Sequence, residues 1–155
     1  MIKPNKFAAI RALRAERIGV LSTVSGAGDP WSSAVHFLVD QDFNFYFLTR
    51  KSTLKYKNAG SNGKAAFNVG FKENPLGNFQ IVGRVKPLRG TSDWRMLMLT
   101  LFSQRQINNL HMDVGANDPF FGYKGHDFVM LVLKPKFIRW LKSAKGKPTF
   151  ETVLP

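Results

Sequence analysis

The sequence contains no cysteine and no long apolar run, and both absences narrow the class of protein. Without cysteine there are no disulfides, no thiolate metal ligands and no cysteine nucleophile, as is common for cytoplasmic proteins. No stretch of about 18 uncharged apolar residues occurs, so no segment is predicted to span a membrane. Arg11, Arg14 and Arg17 interrupt the start of the chain, which therefore does not read as a signal peptide. We expect a soluble cytoplasmic protein.

Acidic residues are also scarce, with 10 Asp and Glu against 23 Lys and Arg, for a net charge of +13. The excess is local, because residues 18–48 contain no Lys or Arg whereas residues 134–147 contain six. Such a charge attracts polyanions and anionic ligands. Phe137 and Trp140 lie among the cations of 134–147, so one hypothesis is a non-catalytic nucleic-acid-binding protein that combines phosphate contacts with base stacking.

Common catalytic and metal-binding motifs are missing. His36, His111 and His126 do not have the spacing of metal ligands, and there is neither a G-x-S-x-G elbow nor a Walker-type phosphate loop. The acidic residues are scattered, so no carboxylate pair is predicted. The sequence thus predicts no metal site and identifies no catalytic residue.

The pattern of apolar residues predicts one mainly β domain over 1–155. An amphipathic helix is expected over 4–16, and two further helices over 52–60 and 91–110. Strands are expected at 18–24, 31–40, 43–49, 64–71, 79–88, 127–135 and 136–142, with a break at Pro135 and a loosely packed tail over 143–155. Six or seven strands in hairpin order favour an antiparallel barrel of Greek-key type with flanking helices.

The segment 45–58, FYFLTRKSTLKYKN, changes from an apolar strand to a cluster of cations and hydroxyls. Thr49, Arg50, Lys51, Thr53 and Lys55 fall at the predicted strand end and helix start. A phosphate requires several charge-assisted donors in one place, and a helix start adds free N–H groups. The pattern therefore predicts a phosphate site, with a solvated basic turn as the alternative.

The same segment contains the pattern T-x-x-x-[ST]-x-K-x-x-N, formed by Thr49, Thr53, Lys55 and Asn58. It is preceded by IGVLSTV and WSSAVHFLVD and followed by KAAFNVGF, FQIVGRVKPL and the late pair VMLVLKP and FIRWLK. This ordered set, outside 89–126, resembles the FMN-binding split barrel of the pyridoxamine 5'-phosphate oxidase-like superfamily. The resemblance rests on the order of the segments, since none of the motifs is specific alone.

The resemblance implies an FMN cofactor, redox chemistry carried by the flavin, and a homodimer with the flavin at the interface. It places the flavin ring and ribityl chain along Ser33, Ala34, Val35 and His36, with Leu48 and Thr49 on the adjacent strand. Thr53 and Lys55 would bind the phosphate, assisted by Arg50 and Lys51. Asn78 would reach the flavin of the partner subunit, and Trp140 would lie near the ring.

Three departures from the family pattern shape the functional prediction. Ser33 and Leu54 stand where the vitamin oxidases have arginines, and Leu38 stands where they have a lysine. The resemblance therefore implies an FMN-dependent oxidoreductase of unknown substrate, related to the vitamin oxidase and not identical with it. The alternatives within this fold are a deazaflavin or haem cofactor, the latter bound through His36 or His126, and a flavin-binding protein without turnover.

Overall fold

The computed structural model describes residues 6–70, 77–88, 128–144 and 146–154. The described helices are α1 (Lys6–Ala15) and α2 (Leu54–Ser61), and neither is long and apolar enough to cross a bilayer. The strands are β1 (Ile18–Val24), β2 (Pro30–His36), β3 (Leu38–Val39), β4 (Phe45–Arg50), β5 (Lys64–Val69), β6 (Phe79–Pro87), β7 (Phe128–Ala144) and β8 (Lys147–Leu154). The predicted helix over 91–110, His111 and His126 lie outside the described residues.

The strands form one antiparallel sheet in the order β2-β1-β5-β6-β7-β4-β3, with β8 paired to β7. The predicted strand over 31–40 is divided at Phe37 into β2 and β3, which lie at opposite ends of this order. Because one residue separates the two ends along the chain, the sheet must curl until they approach each other. The result is a half-barrel with two helices, which confirms the mainly β split-barrel prediction.

The concave face of the sheet holds an aromatic core. Strands β1, β4, β5 and β6 alternate buried and more exposed residues, as expected for strands with one covered face. The Phe67 ring meets the rings of Phe37, Phe45 and Phe47 edge-on, with centroids 5.0–5.4 Å apart. Gly19 lies beneath Phe67, and a Cβ there would collide with the ring. Glycine is therefore required at this position of β1.

The predicted break at Pro135 is wrong, because β7 runs continuously from Phe128 to Ala144. The register with β6 shifts between Val82 and Gly83, and Gly83 faces Pro135. A Cβ on Gly83 would lie 2.8 Å from Cα of Pro135 and closer still to the carbonyl oxygen of Lys134. A proline can remain within a strand at such a bulge, and the glycine opposite it admits the close backbone approach.

The predicted loose tail is also corrected. Residues 147–154 form β8, which pairs with β7 through a turn at Gly146, where φ is +75°. Val153 is buried against the core, and Lys142 Nζ lies 2.6 Å from a carboxylate oxygen of Glu151 across the hairpin. Although the tail is polar, its backbone is hydrogen-bonded to β7 in this hairpin.

Candidate functional site

Two threonine hydroxyls fix the loop between β4 and α2. Thr53 is the N-cap of α2, and its Oγ1 accepts a hydrogen bond from the N–H of Tyr56. The same hydroxyl donates to the carbonyl oxygen of Arg50 at 2.8 Å. Since this uses its single proton, Thr49 must donate in the 3.0 Å contact between the two hydroxyls. Both hydroxyl protons are therefore used in hydrogen bonds within the loop, and neither is available to a ligand.

Cations surround this helix start without acidic neighbours in its first turn. Lys55 is half-buried, and burial lowers the pKa of its ammonium group. Arg50, the last residue of β4, and Lys51, which follows it, are exposed. The N–H of Tyr56 is capped by Thr53. The N–H groups of Leu54 and Lys55 lie in the first turn, where a helix offers no carbonyl acceptor of its own. The result is a positive helix start suited to an anion.

Asn58 attaches α2 to the barrel. Its Nδ2 donates to Oγ1 of Thr23 on β1 at 3.0 Å, and both residues are buried. Its carbonyl oxygen accepts hydrogen bonds from the N–H groups of Asn62 and Gly63, each at 3.0 Å, at the end of the helix. The sequence pattern singled out Asn58 but did not reveal this bond, because nothing in the spacing pairs it with Thr23.

The predicted ring-binding residues of β2 point to two different faces. Ser33 is opposite Leu21, a core residue, and Val35 is buried, so both belong to the concave side. Ala34 and His36 are exposed on the convex side. The structure therefore presents only half of the four predicted side chains on the convex face, together with the backbone of β2.

On β4, Leu48 is half-exposed whereas Thr49 is buried on the concave side. Leu38 of β3 pairs with Tyr46 of β4. Strand β2, which precedes β3 along the chain, also contacts β4. The structure thus brings the convex side of β2, the end of β4 and the loop before α2 together.

Asn78 and Trp140 lie elsewhere in the sheet. Nδ2 of Asn78 donates to Oδ1 of Asn68 and, at 3.1 Å, to the carbonyl oxygen of Val69, so a ligand contact from Asn78 would use its amide oxygen. Trp140 belongs to the end of β7 that pairs with β6 and β8, whereas the loop adjoins the other end, where Phe128 pairs with β4. The two ends are about 40 Å apart along the strand. Trp140 and the loop therefore adjoin opposite parts of β7.

The Trp140 ring lies between an aromatic ring and a cation. It stacks on Phe79 with centroids 4.7 Å apart, and Nζ of Lys142 lies 3.9 Å from its centroid. Its buried Nε1 finds no hydrogen-bond acceptor among the described residues. Arg139, also in the predicted nucleic-acid segment, donates to Oε1 of Gln80 at 2.7 Å and lies over the ring of Phe150. Two cations of that segment are thus engaged within the sheet.

No group of three or more His, Asp or Glu side chains that could hold a metal ion occurs within the described ranges.

Residues 7–141 match the model of the family described as pyridoxamine 5'-phosphate oxidase. The chain belongs to this family. A search of the curated proteins gave no match.

Solved structures with the same fold include proteins named for three different ligands. A pyridoxamine 5'-phosphate oxidase-related, FMN-binding protein from Nostoc punctiforme is 14% identical, with a TM-score of 0.60 over 97% of this chain and 93% of that one. A heme binding protein from Mycobacterium smegmatis is 18% identical, with a TM-score of 0.64 over 99% of this chain and 60% of that one. An F420 reductase is 21% identical, with a TM-score of 0.56 over 83% of this chain and 93% of that one. At these identities the likeness establishes the fold alone.

Proposed function

We propose that the protein binds FMN and acts as an FMN-dependent oxidoreductase. The observation that carries this proposal is the loop between β4 and α2, where the Thr49–Thr53 pair holds a helix start beside the half-buried Lys55. Membership of the family and an FMN-binding structural neighbour support the choice of flavin.

The loop fits a phosphate group in charge and in donor type. A phosphate monoester carries nearly two negative charges at neutral pH and needs several donors. Lys55, Arg50 and Lys51 supply cations, and the start of α2 supplies backbone N–H groups. Thr49 and Thr53 would position these donors by holding the loop. This differs from the sequence-based hypothesis, in which Thr53 bonded the phosphate itself.

The flavin ring would lie on the convex side of β2, beside Ala34, His36 and Leu48. Among the described strands, β2 pairs only with β1, so alternate N–H and C=O groups of β2 face away from that pairing. Such groups match the polar edge of a flavin ring, which both donates and accepts hydrogen bonds. When bound, FMN supplies the redox chemistry, while the protein binds, orients and shields it.

We further propose a homodimer, because one chain separates the expected contacts. Trp140 lies far along β7 from the loop that would hold the phosphate. A second copy could bring its own Trp140 toward the flavin of the first. Size-exclusion chromatography with light scattering checks this, and a monomer at micromolar concentration that still binds FMN contradicts it.

The decisive experiment is titration of cofactor-free protein with FMN, followed by flavin fluorescence and the visible spectrum. Because one charge-assisted hydrogen bond contributes about 1.5–3 kcal/mol, we expect Lys55→Ala to weaken FMN binding about 10- to 100-fold. Lys57→Ala, an exposed position on the same helix, is the matched control and should leave affinity unchanged. Protein that takes up no FMN overturns the proposal.

Parallel titrations with haem and with a deazaflavin separate the other ligands named among the structural neighbours. A Soret band or a preference for deazaflavin would replace FMN with that group. Anaerobic addition of NAD(P)H to the FMN-loaded protein then tests turnover. Bleaching of the flavin band is expected of an oxidoreductase, whereas an unreducible flavin would indicate storage or sensing.

A further inference from the structure

Three cations lie side by side on the convex face of the sheet. The register pairs Lys64 of β5 with Arg84 of β6, and Arg84 with Lys134 of β7. All three are exposed, and like charges directly opposite each other destabilise a sheet. A guanidinium nitrogen of Arg84 donates to the carbonyl oxygen of Asn62, a neutral partner that does not compensate the charge. The row is therefore suited to an anionic partner.

A groove of about 360 Å³ adjoins this row. Its floor consists mainly of small and apolar residues, including Ala66, Val82, Val24 and Pro30, and Lys64, Arg84 and Lys136 also line it. Val82 is 51% exposed, although valine is among the residues most often buried in proteins. No acidic side chain lies among the described residues that line the groove.

This combination selects a particular kind of occupant. The volume lies within the range of small-molecule sites, about 300–1,000 Å³. A nucleic-acid strand would need cations along an extended track, whereas here they lie beside a short apolar floor. A ligand with a charged group at one end of an apolar body would contact both the cations and the apolar floor of the groove.

We propose that this groove is a binding site for a small organic anion, with a carboxylate, sulfonate or phosphate attached to an aromatic or aliphatic body. It goes beyond the proposed FMN site. Pro30 lines the groove and His36 lies at the proposed flavin site, at opposite ends of β2 and about 20 Å apart. The anion would contact Lys64 and Lys136, and the apolar body would cover Val82.

The test uses the full-length protein and 1-anilinonaphthalene-8-sulfonate, an aromatic sulfonate that fluoresces when it leaves water. Titration should show saturable binding both without FMN and with FMN bound. The double variant Lys64→Gln/Lys136→Gln should weaken binding about threefold to tenfold, as expected for two exposed charges. The uncharged analogue N-phenyl-1-naphthylamine should bind more weakly than the sulfonate and should not respond to the double variant.

Lys57→Gln removes one exposed cation outside the groove and is the charge control. Val82→Asp, at a half-exposed position, should abolish sulfonate binding without unfolding the protein, as followed by circular dichroism. The proposal is overturned if both groove variants bind the sulfonate with unchanged affinity. It is also overturned if FMN displaces the probe, or if a second copy of the chain excludes it. Because FMN binding is measured separately, failure here leaves the FMN proposal standing.

Discussion

Two cationic regions in the described part of the chain are built in different ways. At the start of α2, hydrogen bonds among Thr49, Arg50 and Thr53 fix the loop, and Lys55 is half-buried beside them. On the convex face, Lys64 and its neighbours across the strands are exposed, and the register of the sheet places them side by side.

The difference shows why cation number is a poor guide to an anion site. In the loop, positioning is local, and the burial of Lys55 strengthens any interaction with an anion because less water screens it. In the row, the charges repel each other and water screens them. Changes near α2 should therefore alter FMN binding selectively, whereas changes on the convex face should alter binding of the aromatic sulfonate.

The largest effect is expected for Gly83→Val, which would place side-chain atoms against the backbone of Lys134 and Pro135. We expect the free energy of unfolding to fall by about 3 kcal/mol, measured by urea denaturation. Since the bulge sets the register that pairs Arg84 with Lys134, sulfonate binding should fall more than FMN binding. Lys86→Gln, at an exposed position of the same strand outside the groove, is the control. Unchanged stability of Gly83→Val would show that the bulge does not depend on glycine.

Asn58→Ala should have the next largest effect, because it leaves the buried hydroxyl of Thr23 without its donor. We expect a loss of about 2 kcal/mol in the free energy of unfolding. FMN affinity should also fall, since α2 would be less firmly attached, whereas sulfonate binding should persist at temperatures where the variant is folded. Lys57→Ala serves as the neighbouring control. An equal loss of both ligands would argue against a specific role in positioning α2.

FMN affinity should depend on alkaline pH through Lys55. Burial lowers the pKa of its ammonium group, so Lys55 loses its proton at a lower pH than the ordinary lysine value of about 10.4. Because the phosphate is attracted to the protonated form, affinity should fall as pH rises, by up to about tenfold if one charge-assisted bond is lost. Lys55→Arg should remove this step. A pH profile of the FMN dissociation constant that is identical in the two proteins would contradict the assignment.

Thr53→Ala removes the N-cap of α2 and should lower the free energy of unfolding by about 1 kcal/mol. Thr53→Ser keeps the hydroxyl and should retain most of the stability. If the hydroxyl positions the loop, the serine variant should also retain FMN affinity while the alanine variant loses part of it. Sulfonate binding should be the same in both variants. FMN titration and thermal denaturation of the pair provide the measurement.

The smallest effect, opposite in sign, is expected for Lys64→Glu. Exchanging a like-charge pair with Arg84 for an opposite-charge pair should raise the free energy of unfolding by about 0.5 kcal/mol at low salt, and sulfonate binding should weaken. Lys57→Glu, which has no cross-strand partner, tests whether net charge alone is responsible. Destabilisation by Lys64→Glu would contradict the proposed repulsion.

The parts of the fold that the sequence predicted are those set by local patterns. IGVLSTV and FNFYFLT alternate or concentrate apolar residues, and both form strands where expected. The start of α2 was visible because Thr53 is a good N-cap residue followed by a short helical segment.

The features that were missed depend on pairing between distant residues. Pro135 predicted a strand break because its tolerance depends on Gly83, which lies far away in sequence. The hydrogen bond between Asn58 and Thr23 and the row from Lys64 to Lys134 likewise require knowledge of which strands are neighbours. The assignments of Asn78 and Trp140 to the flavin stay predictions.

The position of β4 has a consequence for how the chain reaches its native state. Phe45 and Phe47 pair with Leu133 and Leu131 of β7, so during synthesis β4 leaves the ribosome with its short neighbour β3 but long before β7 exists. Contacts over such long sequence separations form slowly, and unpaired apolar strands favour aggregation in the meantime. The β1–β2 hairpin and β5–β6 can pair early, but the half-barrel closes only when β7 arrives. Expression at low temperature or with chaperones should therefore improve the soluble yield of the protein.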